Sequence, residues 1–99
     1  MRVRLLASAL NDLAGGRAFY DQQGEGVGAY FLDSVFADID SLTLYGGIHA
    51  RVYGYHRLLA RRFPYAVYYK IDTEGSVIVY RVLDCRQHPG RTKQALRTG

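Results

Sequence analysis

Arginine and tyrosine crowd the second half of this chain. Tyr55, Arg57, Arg61 and Arg62 fall in one short segment, Tyr65, Tyr68 and Tyr69 in the next, and Tyr80, Arg81, Arg86 and His88 in the last. A guanidinium holds a phosphate with two parallel hydrogen bonds, and a phenol ring stacks on a base. At a cut site, arginine would stabilise the charge developing on phosphorane oxygens, and a histidine of near-neutral pKa would relay a proton. Arg57, Arg86 and His88 are the strongest candidates for that work. Most of the tyrosines have an ordinary alternative, with the ring buried in a small sheet and the hydroxyl at its edge.

Other chemistries have weaker support. His49, His56 and His88 lack the spacing of a zinc helix or finger, and the lone Cys85 cannot build a thiolate cluster or an internal disulfide. His56 and Cys85 can meet only across a sheet, where a buried cysteine usually acts as a small hydrophobe. Gly24, Gly26 and Gly28 bear a superficial likeness to a phosphate loop, but no lysine–hydroxyl pair follows. They suit a tight link between helices better. The serines lack a nucleophile elbow, and of the acids only Asp84 lies near the basic end of the sheet. No metal and no cofactor is expected.

Charge is segregated along the chain. Of 99 residues, 13 are Lys or Arg and 9 are Asp or Glu, yet residues 1–48 carry a net −3 and residues 49–99 a net +7. Such a basic half suits an acidic protein surface or a nucleic acid. With 48% apolar and 22% charged residues the chain is globular, and its length allows one domain, 1–99, burying about two-thirds of its unfolded surface. No apolar run approaches a membrane span and no secretory pattern opens the chain, so a cytoplasmic protein without membrane contact is expected.

The elements that must position these residues follow from periodicity. Met1–Leu6 reads as a strand. Ser8 is placed to cap a helix running to about Tyr20 on Ala9, Leu10, Leu13, Ala14 and Ala18, with Gly15 and Gly16 inside it. If that helix survives its glycines, close packing against a neighbour is the reason. After a break at residues 21–26, Val27, Phe31, Val35, Ile39 and Leu42 stripe a second helix, leaving Asp33, Asp38 and Asp40 outside the stripe. Gly46 and Gly47 end the helical region. From Tyr53 the period becomes two: Tyr55–Arg62, then Tyr65–Ile71 with Tyr65, Val67, Tyr69 and Ile71 facing one way. Ser76–Cys85 is apolar enough to be central and buried on both sides. The order is β-α-α-β-β-β, an α+β fold with a helical hairpin on a small, mainly antiparallel sheet. Residues 86–99 form a basic C-terminal segment, either a turn or two of helix at 92–97 or a mobile tail.

The chain resembles the ParE/RelE superfamily of toxins from bacterial type II toxin–antitoxin modules, also called plasmid stabilisation proteins. The resemblance rests on Phe19-Tyr20, Gly26-Val27-Gly28-Ala29-Tyr30-Phe31, Arg61-Arg62-Phe63-Pro64-Tyr65-Ala66-Val67-Tyr68-Tyr69, Val79-Tyr80-Arg81-Val82-Leu83 and Arg86-Gln87-His88-Pro89. It implies a cognate antitoxin that wraps helix and sheet surfaces, for which Phe31, Val35, Ile39, Tyr65 and Tyr69 are the candidates, and a complex that can form a higher-order assembly. It also implies one of two targets: DNA gyrase for ParE-like members, or mRNA on the ribosome for RelE-like members.

A RelE-like nuclease needs basic groups on the second strand, an arginine early on the third, an arginine after the fourth and a C-terminal tyrosine. His56 and Arg57 stand near the first position and Arg86 fits the late arginine. Ala66 occupies the third-strand position, however, and no tyrosine follows Tyr80. His88 is the remaining proton carrier. The Phe63-Pro64-Tyr65 start and the Arg-x-His-Pro segment look more like the ParE branch, so gyrase binding and inhibition is the leading expectation, through Arg57, Arg61, Arg62, Arg81, Arg86, His88 and Arg91. The alternatives are ribosome-dependent mRNA cleavage using His56, Arg57, Arg86 and His88, and a non-toxic interaction protein of the same fold.

Overall fold

The apolar run expected to be central forms an interior strand, flanked along its whole length on one side and along its first half on the other. The computed structural model describes residues 1–98, with β1 Val3–Leu5, α1 Ala7–Asp21, α2 Val27–Asp40, α3 Leu42–Tyr45, β2 Arg51–Val52, β3 Tyr55–Leu59, β4 Tyr65–Ile71, β5 Val77–Asp84 and α4 Pro89–Thr98. The five strands lie in the order β1-β5-β4-β3-β2. β1 runs parallel to β5, and the remaining pairs are antiparallel.

Alternation assigns the faces. Tyr65, Val67 and Tyr69 of β4 and Val77, Val79 and Val82 of β5 point towards the α1–α2 hairpin and form the main core with Ala9, Leu13, Phe31, Val35 and Ile39. Ala66, Tyr68 and Leu83 point the other way and meet Leu96 of α4. One irregularity keeps this pattern: Tyr68 pairs with Arg81 but Tyr69 with Val79, so Tyr80 is an extra residue in β5. The bulge shifts the parity and returns Val82 to the hairpin side, where it is 2% exposed.

The hairpin closes tightly through two glycines. A Cβ on Gly16 would stand 2.6 Å from the Phe31 ring, whereas one on Gly15 would meet nothing within 4 Å. Close packing therefore explains Gly16 and not Gly15. Gly28 lies against Asp21 and the backbone of Arg17, and its N–H donates to Asp21 Oδ1 at 3.1 Å.

Four local expectations are corrected. Leu6, not Ser8, precedes the first helix, and the Ser8 hydroxyl donates to the Tyr80 carbonyl at 2.6 Å. The strand expected over Tyr55–Arg62 stops at Leu59, and the Arg61 N–H donates to Asp38 Oδ2 at 3.1 Å. Asp38, expected outside the apolar stripe, is buried for that contact. The basic C-terminal segment takes the helical one of its two alternatives but over a longer span than 92–97, as α4 over Pro89–Thr98, anchored by buried Thr92 and Leu96; Gly99 lies outside the described residues. The two-residue β2 and the single-turn α3 are additions too short to show a period.

β1 ends at Leu5, so the last half of β5 has no strand on that side. Helix α1 serves instead. Ser8 satisfies the Tyr80 carbonyl, and Asp12 Oδ2 accepts the Val82 N–H at 2.9 Å. The same carboxylate binds Arg81, through Nε at 2.7 Å and Nη2 at 2.9 Å, while Arg81 Nη1 donates to the Ala95 carbonyl of α4 at 2.9 Å. One guanidinium thus ties α1 to α4 around the border of the sheet.

Candidate functional site

β3 carries Arg57 on the face covered by α4, because Arg57 pairs with Tyr68 and both alternate away from the hairpin. Pro89 and Thr92, at the start of α4, line a cavity of about 120 Å³ together with Tyr53, Arg57, Tyr68 and Cys85. Burial raises the pKa of the Tyr68 phenol, and its hydrogen bond to Arg57 together with the guanidinium charge opposes that rise. Burial likewise pushes the Cys85 thiol up, against the pull of Arg57. Cys85, itself exposed, borders this cavity with Arg57, whereas His56 stacks on Tyr69 on the other face.

The other candidates divide among several places. His88 stands immediately before α4, and its Nδ1 accepts the Gly90 N–H at 3.0 Å. Arg91 and His88 border a second, wider hollow beside Arg81. Arg81 is already engaged by Asp12, with 18% of its side chain exposed. Arg86 turns to the hairpin side: it grips Asp84 through Nε at 2.9 Å and Nη2 at 2.7 Å and lies over the Phe19 ring at 5.9 Å. That bidentate pairing raises the Arg86 pKa and holds the Asp84 carboxyl below its ordinary range. Tyr65, beneath this pair, has its phenol pushed up to about 12, chiefly by burial. Arg61 and Arg62 are exposed at the end of β3. The late arginine and the second-strand arginine therefore occupy opposite faces.

His56 belongs to neither group. It stacks on Tyr69 with ring centroids 5.0 Å apart, and its Nδ1 pairs with the His49 carbonyl at 2.7 Å. The Tyr69 hydroxyl accepts the Gly47 N–H at 2.9 Å and shares a hydrogen bond with His49 Nδ1. Burial and the nearby His56 lower the His49 pKa from its ordinary 6.5. The unfolded chain therefore protonates His49 at higher pH than the folded one. The contribution to stability is complete above 6.5 and is lost as pH falls through it towards the lowered folded value. Urea midpoints taken between about pH 7 and about pH 5.5 should fall more steeply for the parent than for His49→Gln. Parallel profiles would remove His49 from the acid response.

Phe31, Val35, Ile39, Tyr65 and Tyr69, the expected antitoxin contacts, are between 0% and 8% exposed. They hold the hairpin to the sheet and offer nothing to a partner, which corrects that assignment. The apolar side chains exposed on the hairpin are Leu10, Phe19, Tyr30 and Phe36. A cluster that sequence reasoning missed lies beside Tyr53, where Tyr55, Lys70 and Lys93 converge. The doublet Tyr53-Gly54 between two strands was its only local signal. Among the described residues no group of three or more His, Cys, Asp or Glu side chains is placed to hold a metal, and no helix is long and apolar enough to cross a membrane.

Comparison with known proteins adds the fold. No family model and no curated protein matches the sequence. A chain of the solved chromosomal ParDE TA system from P. aeruginosa superposes with a TM-score of 0.73 at 16% identity, over 83% of this chain and 92% of that one. A chain of the toxin–antitoxin complex RelBE2 from Mycobacterium tuberculosis is 27% identical over 82% of this chain and 93% of that one, with a TM-score of 0.46. The first likeness establishes that this α+β architecture is the RelE/ParE fold.

Proposed function

We propose that the chain is the toxin of a type II toxin–antitoxin module, and that its target is RNA on the ribosome. The fold shared with a chain of a ParDE system supports the first part. The observation that carries the second is the placing of Arg57 opposite Tyr68 on paired strands, both lining a cavity on the sheet face next to the segment bearing His88. In-line attack by a ribose 2′-hydroxyl on the neighbouring phosphorus would form a 2′,3′-cyclic phosphate and break the bond from phosphorus to the 5′-oxygen of the next nucleotide, with negative charge developing on the non-bridging oxygens, which Arg57 is suited to stabilise. His88 Nδ1 accepts from Gly90, which leaves Nε2 with its hydrogen to give to the departing 5′-oxygen, while the 2′-hydroxyl proton passes to water. His56 and Arg86 drop out of this set, one stacked on Tyr69 and the other bound to Asp84.

Gyrase inhibition, the leading sequence expectation, remains the second reading. It draws support from the same Asp84–Arg86 pair, since a nuclease of this pattern needs the late arginine free, and from Ala66 at the position of the missing clamp. For the antitoxin, Leu10, Phe19, Tyr30 and Phe36 provide the exposed apolar contacts on the hairpin. Either target gives a cytoplasmic site of action.

Induction without antitoxin, followed by primer extension of cellular mRNA and a supercoiling assay with purified protein, separates the readings. New mRNA 5′ ends are expected, falling at least about 100-fold in Arg57→Gln, with supercoiling unaffected. Lost supercoiling without new ends would transfer the assignment to gyrase.

A further inference from the structure

The cleft between α4 and the β2–β3 hairpin shares only Tyr55 with the arginine–tyrosine constellation read from the sequence. It encloses about 470 Å³ and is lined by Tyr53, Tyr55, Lys70, Lys93, Leu96 and Arg97. Three of the six are cations and none is an acid. Among the described residues, no carboxylate forms an ion pair with Lys70, Lys93 or Arg97. The two lysines lie against aromatic rings instead: Lys70 Nζ is 4.6 Å from the Tyr55 centroid and 5.5 Å from that of Tyr80, and Lys93 Nζ is 5.7 Å from that of Tyr53. Unneutralised positive charge around a concave space is suited to an anion, and the space has the size of a small-ligand pocket.

Tyr53 gives the second half of the argument. Val52 pairs with Tyr55, so Tyr53 and Gly54 form a two-residue hairpin loop, and both have positive φ, 56° and 84°. Such loops favour asparagine, aspartate or glycine, because a bulky side chain is strained there. The Tyr53 ring is 45% exposed, so burial does not repay that strain. Backbone strain of this kind collects where a side chain is held out for a ligand. A half-exposed phenol beside two lysines and an arginine offers a stacking face next to a phosphate site.

We propose that this cleft binds a nucleotide, with the base stacked on Tyr53 and the phosphate held by Lys70, Lys93 and Arg97. The chemistry is that of a nucleoside 5′-phosphate, either free or as one residue of single-stranded RNA. Only the RNA source rests on the function proposed above.

The test is calorimetric titration of the full chain with 5′-AMP, inorganic phosphate and a 2′-O-methyl hexaribonucleotide that cannot be cleaved through its 2′-oxygen. AMP should bind at least about tenfold more tightly than phosphate, and Tyr53→Gly should lose about tenfold in AMP affinity while keeping or raising the melting temperature, because it relieves the strained φ. Lys70→Gln/Lys93→Gln should lose more than about tenfold and flatten the salt dependence. Hexamer binding well above that of AMP identifies the ligand as an RNA residue; equal binding identifies a free nucleotide. Phosphate binding as tightly as AMP, or Tyr53→Gly and the lysine variant binding like the parent, would overturn the proposal. Nucleotide binding without new mRNA ends rejects the nuclease reading alone, and new ends without nucleotide binding reject the cleft alone.

Discussion

Asp12→Ala is expected to lower the unfolding free energy by about 3 kcal/mol, at the lower end for breaking a buried ion pair because both partners keep some solvent contact. The Asp12 carboxylate takes three donors, two from Arg81 and one from the Val82 backbone, with only 14% of its side chain exposed. Without it the guanidinium keeps the Ala95 carbonyl as its sole partner among the described residues, and the Val82 N–H loses its acceptor. For a domain of this size the melting temperature should fall by roughly 12–24 °C. Asp12→Asn, which keeps an acceptor for Val82 but removes the charge, should lose about half as much. Adding Arg81→Met to Asp12→Ala should restore part of the loss, since the uncompensated charge is then gone. Urea unfolding of the four proteins measures this. Strictly additive effects of the two substitutions would show that the pair is uncoupled.

Gly28→Ala should cost a similar amount, about 3 kcal/mol, at the upper end for inserting one methyl group into a packed contact. The new Cβ would stand 2.6 Å from the Arg17 carbonyl oxygen and collide with the Asp21 carboxylate. The Asp21 side chain can swing away at the expense of its bond to the Gly28 N–H, but the Arg17 carbonyl belongs to the α1 backbone and cannot yield alone. The helices must separate, which loosens Phe31 from Gly16 one turn further along. Gly15→Ala is the matched control: its Cβ enters open space, so it should stabilise the protein by about 0.5–1 kcal/mol through helix propensity. Equal melting temperatures for the two variants would remove close helix approach as the reason for Gly28.

The parts of this fold legible in the sequence are those where a period persists. The Phe31–Val35–Ile39 stripe and the alternation from Tyr65 to Ile71 both give the correct faces. The bulge at Tyr80 left a single mark, Arg81 on the parity of the core residues Val77 and Val79, in a run otherwise apolar on either parity. Asp12 and Asp38 read as solvated helix acids, since the backbone N–H groups that draw them inward come from distant strands. At the candidate site, residue types were legible and their grouping was not. Arg57 and Arg86 both follow from the basic pattern, but a local carboxylate two residues before Arg86 pulls it to the opposite face. The Tyr53 cleft depends on α4 folding back across the sheet, which a short polar segment does not announce.

The side chains of Ser8 and Asp12 occupy the seat that a further strand would take beside the second half of β5. Exposed borders of this kind are where proteins polymerise or exchange segments with their copies. Here two hydrogen-bonding positions on that border are already filled from within the same molecule. A strand from another molecule would have to displace α1 before it could add to the sheet there. This border is therefore closed to fibre growth and strand exchange while the first helix stays docked.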